Sequence, residues 1–141
     1  METILVLTHV DEGGAALTKA SLEAVTAGLE LSIRMGASLA IGVLGVNAEA
    51  AASAVAATGA RIVTVSGEAF AQARYATDAA GCEALCRAVA PSVVLVAAGA
   101  RFARVAVARL AAFLSFVVGT NRPENGSRMR SMANAMMNSP A

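Results

Sequence analysis

The chain has 141 residues, a formal net charge of +1, 57% hydrophobic residues and only 4% aromatics. This length sets one domain with room for a buried core, and the near-neutral charge leaves no electrostatic case for nucleic acid. Its longest apolar stretch, AVAPSVVLVAAGA before Arg101, falls well short of the roughly twenty residues a membrane span needs.

Thr3 to Thr8 (TILVLT) is a continuous β-branched and apolar run, the pattern of a strand buried on both faces. His9 to Gly14 reads as a loop, with Gly13-Gly14 as its breaker. Leu17 to Met35 carries apolar residues at helical spacing, with Thr18 or Ser21 as candidate caps and Gly36 as the stop. Ser38 to Gly45 is a second strand. Ala48 to Ala57 is an Ala-rich helix ended by Gly59, and Arg61 to Ser66 is a third strand.

Phe70 to Val89 reads as a helix, in one piece or broken near Tyr75–Asp78, and Pro91 ends it. Phe70 and Tyr75 are expected to anchor it. Ser92 to Ala97 is a fourth strand. Arg101 to Leu114 is a last helix, with Arg101, Arg104 and Arg109 expected to face outward. The β-α alternation predicts an α/β fold: a parallel sheet with helices on both faces and right-handed crossovers.

From Ser115 the rhythm is lost. Residues 1–114 are expected to form the domain and 115–141 an atypical tail, either disordered or holding a short helix. The tail carries Arg122, Arg128 and Arg130 against Glu124 and four of the six methionines. Its composition points to a coding shift or a truncation after about Ala112.

In such a sheet, ligands bind at the carboxyl ends of the strands. Those ends are Thr8–Asp11, Gly45–Asn47, Ser66-Gly67 and Ala97–Arg101. Gly99, Arg101 and Arg104 form a candidate anion or nucleotide site at a helix start, where backbone N–H groups favour negative charge. The bland alternative is a set of solvated arginines, or arginines paired with acids of a partner chain. Neither GxGxxG nor GxxxxGK[ST] occurs. Phe102 and Ala103 stand where a phosphate loop would prefer Gly and Ser.

No catalytic constellation is found. His9 is the only histidine, with Asp11 and Glu12 near it in sequence but no activated nucleophile. Cys82 and Cys86 share one helix face at a spacing that disfavours a disulfide, and no second pair completes a metal site. They read as small inward-facing hydrophobes, with a redox pair as the alternative, in a reducing compartment.

Taken together, ILVLTHVDEGGAALTKASLEAVTAGLEL, ASLAIGVLG, GARIVTVSG and YATDAAGCEALCRAVAPSVVLVAAGARFARVAVARLAA resemble the N-terminal domain of the electron transfer flavoprotein alpha subunit over nearly all of residues 3–112. The resemblance implies a Rossmann-like, adenine-nucleotide-hydrolase-like sheet. It implies an electron carrier rather than an enzyme: a scaffold domain in a flavin-containing heterodimer with a beta-type subunit, passing electrons from dehydrogenases to an acceptor. FAD would be held mainly by a C-terminal domain whose glycine- and serine-rich stretch is not found after Leu114, so tight FAD binding by this chain alone is not expected, and no FAD ligand carries over to a residue here. The expected setting is cytoplasmic, or the mitochondrial matrix in a eukaryote, although no transit peptide is seen. The alternatives are a stand-alone AMP- or ATP-binding module of similar architecture, and a non-catalytic partner-binding domain that would form a homodimer in isolation.

Overall fold

The computed structural model describes residues 2–11, 16–97, 99–105 and 115–118. Five strands form one parallel sheet: β1 (Thr3–His9), β2 (Ser38–Gly45), β3 (Arg61–Ser66), β4 (Val93–Val96) and β5 (Ser115–Val118). Their spatial order is β3-β2-β1-β4-β5. The chain moves one way from β1 to β3, then returns across β1 to place β4 on its other side. Thr3 to His9 pair with Ser38 to Leu44, and Ile4 to Leu7 pair with Val93 to Val96. β1 is therefore the central strand, and Ile4, Leu5, Val6 and Leu7 are all fully buried.

The period-2 alternation of β1 feeds two cores. Ile4 and Val6 pack with Ile41, Val43, Val25 and Val55, on the side of α1 (Lys19–Met35) and α2 (Ala48–Ala52). Leu5 and Leu7 pack with Leu44, Cys82, Leu85 and Phe102, on the side of α3 (Tyr75–Val89) and α4 (Ala100–Val105). Helices thus cover both faces, as the continuous apolar strands require.

Local chemistry sets the element ends. The Thr18 hydroxyl accepts from the Ser21 amide and caps α1, and Gly36 closes that helix in the left-handed conformation (φ 62°). Residues 48–58 divide: α2 gives way to a 3-10 turn over Ser53–Thr58 before Gly59. The segment from Phe70 to Val89 is also broken, with a 3-10 turn over Glu68–Phe70, an irregular stretch at 71–74, then α3. Phe70 anchors it in the core, whereas Tyr75 is exposed.

The sheet does not stop at residue 114. β5 adds Ser115–Val118 in parallel register with Val93–Val96, so the first residues of the expected tail belong to the sheet. The expected continuation of the last helix to Leu114, and residues 119–141, lie outside the described residues. Among the described residues, no helix is long and apolar enough to cross a membrane.

Candidate functional site at the ends of β1 and β4

The sheet reverses its order between β1 and β4, and ligands of this architecture bind at such a point. An open cleft of about 700 Å³ lies there. His9 and Asp11 at the end of β1, Thr18 at the head of α1, the 71–73 segment and Arg101 of α4 line it.

Arg101 does not face outward as expected. Its Nε donates to Asp78 Oδ2 at 3.0 Å and its Nη2 to Asp78 Oδ1 at 2.9 Å. The same Nη2 donates to the Phe70 carbonyl at 3.0 Å. The side chains are 14% and 1% exposed respectively, so this is a buried, bidentate pair within one chain and not a solvated arginine. Gly99 is exposed at the turn before α4, with open space where a side chain would project. Arg104 lies in α4, its side chain outside the described part of the molecule.

His9 sits beside this pair. Its ring meets Phe102 edge to face, centroids 4.9 Å apart, and Nδ1 lies 3.2 Å from the Val10 carbonyl. Burial lowers the imidazole below its ordinary value of 6.5; the Val10 carbonyl opposes this, the Arg101 guanidinium reinforces it and Asp78 opposes it. The backbone of His9 is tied to α1: its amide donates to Ser21 Oγ at 3.1 Å, and Ser21 Oγ donates to its carbonyl at 3.3 Å.

The other strand ends are engaged in the same way. Ser66 Oγ accepts from the Ala48 amide at 3.1 Å and donates to Glu49, which holds the Glu49 carboxyl below its ordinary value. The Gly45 end packs directly on Val10. Every buried side-chain polar atom among the described residues has a partner.

An electron transfer flavoprotein domain model matches residues 6–121. The chain belongs to the electron transfer flavoprotein domain family. The match continues past Ala112, where the sequence reading ended the resemblance, and takes in β5. No curated protein sequence matches the chain. Among solved structures, a universal stress protein family member from Burkholderia pseudomallei is similar, at 15% identity and a TM-score of 0.48, over 82% of this chain and 94% of that one.

Of the expected site residues of this electron transfer flavoprotein domain, the fold brings His9, Asp11 and Arg101 to one cleft. Gly45–Asn47 and Ser66-Gly67 serve neighbouring elements. The residue that sequence reading missed is Asp78. It stands in register with Cys82, Leu85 and Val89 on the buried stripe of α3, and a carboxylate at such a position calls for a buried cation. Cys82 is buried and Cys86 partly so. Burial raises both thiols, that of Cys86 to about 11, which suits packing and not redox chemistry. Among the described residues, no group of His, Cys, Asp and Glu is placed to hold a metal ion.

Proposed function

We propose that the chain serves as the alpha-subunit-type scaffold domain of a flavin-containing heterodimer, passing electrons from dehydrogenases to an acceptor through a beta-type partner. Membership of the electron transfer flavoprotein domain family over residues 6–121 carries this reading. The strand-end geometry supports it. The polar groups that a self-sufficient nucleotide site would present are bonded to the domain's own helices: Ser21 at β1, Glu49 at β3 and Asp78 at α4.

A flavin must be enclosed and hydrogen-bonded for its potential to be tuned. The described strand ends are engaged by the domain's own side chains, so the enclosure would come from the second domain and the beta-type partner. In this reading the domain alone holds no FAD through desalting, and FAD is retained once the remaining parts of the heterodimer are supplied. An absorption scan of the purified chain, with and without added FAD, is the test. Stoichiometric flavin bands that survive desalting would overturn the scaffold reading.

The position of the cleft at the strand ends, set against its engaged Arg101, is the one feature on the side of a second reading, a stand-alone AMP- or ATP-binding module. Saturable thermal stabilisation by either nucleotide, without any partner, would select it.

A further inference from the structure

The cleft between the ends of β1 and β4 stands where doubly wound sheets meet phosphate groups. A phosphate there needs a guanidinium edge, an ammonium or free helix-start amides. Among the described residues that line the cleft, Arg101 is the only arginine or lysine and Asp11 the only carboxylate. One of the two edges by which Arg101 could grip a phosphate in bidentate fashion, Nε with Nη2, is already closed on both oxygens of Asp78. Nη2 is further held by the Phe70 carbonyl.

We infer that Asp78 is a built-in counter-anion: it occupies the place at Arg101 that a phosphate of an incoming ligand would claim, and so turns this cleft away from phosphate-bearing ligands. Two observations and one physical argument carry the inference. Asp78 is 1% exposed, so solvent does not loosen its hold. It lies on the inward stripe of α3 with Ala79, Cys82, Leu85 and Val89, so the packed helix holds the carboxylate in the core. A phosphate that displaced it would strand a buried negative charge, which costs more than the new contact returns. With Arg101 neutralised, Asp11 leaves the described lining with no unpaired arginine or lysine to attract an anion. The inference rests on this geometry alone and stands apart from the scaffold reading.

The test uses inorganic pyrophosphate as the probe, titrated into the full chain and its Asp78→Asn variant. Binding is followed by thermal unfolding and by the NMR signal of the Arg101 Nε–H. Asn keeps an oxygen for Arg101 but removes the charge. The expected result is no saturable response in the natural chain. Asp78→Asn should bind pyrophosphate at least about tenfold more tightly, and Asp78→Asn with Arg101→Gln should lose that gain. Equal binding by the natural chain and the variant, or a folded variant without gain, would overturn the inference. Should Asp78→Asn fail to fold, the natural chain decides: an Nε–H signal that pyrophosphate leaves in place supports the inference, and one that shifts saturably refutes it.

Discussion

His9 and Phe102 meet edge to face across the point where the sheet reverses, their rings 4.9 Å apart and inclined at 84°. The contact joins the end of β1 to α4, on the helix that also carries Arg101. It places an imidazole against an apolar ring, and burial there disfavours its charged form.

The sign of the pH dependence follows. The folded His9 takes up its proton at a lower pH than the unfolded one, so the unfolded chain binds more protons between the two values. Stability should be full above about pH 7, fall as pH drops through 6.5 toward the folded value, and level off below it. Urea unfolding at about pH 8 and about pH 5 checks this. His9→Gln should flatten the difference, since the chain has no other histidine. An undiminished pH slope in the variant would assign it to another group.

The Arg101–Asp78 pair lies in the buried regime, where removing one partner strands a charge. Asp78→Ala or Arg101→Ala alone should cost about 3–5 kcal/mol. Asp78→Leu with Arg101→Met should cost much less than the two single losses together, because no charge is left behind. Urea midpoints around the cycle give the coupling. Additive losses would mean that the two side chains act independently.

Gly45 ends β2 against Val10. A Cβ there would lie 2.7 Å from the Val10 Cβ, a branched atom next to the backbone that cannot swing away. Gly45→Ala should cost about 1–3 kcal/mol by overpacking. At Gly99 a Cβ meets nothing within 4 Å, so Gly99→Ala should stay within about 0.5 kcal/mol of the natural chain. Thermal unfolding of the two variants separates close approach from a general need for glycine. Equal losses would remove the steric account.

The elements were legible in the sequence wherever a single local rule decided them. β2 and β3 have the expected bounds because their apolar runs are flanked by Gly36, Gly45, Gly59 and Gly67. The capping of α1 by Thr18 and its stop at Gly36 follow from hydroxyl and left-handed backbone chemistry. Boundaries blurred where small residues offered several conformations at similar cost, as in the Ala-rich 48–58 segment. β5 was missed because its run was divided between an expected helix ending at Leu114 and an expected tail beginning at Ser115, and its place is secured by pairing with β4.

The apolar and glycine pattern by itself determined the α/β class, the parallel sheet and the two covered faces, since uniformly apolar strands can be buried only between layers of helices. Only the tertiary structure decided the fate of the charges. Asp78 and Arg101 are 23 residues apart in the chain, and nothing local to either names its partner. Burial of α3 against the sheet brings the carboxylate inward, and α4 then supplies the cation that pairs with it. Coulomb attraction and desolvation act through space, so an arginine that looks free in sequence is held by its own fold.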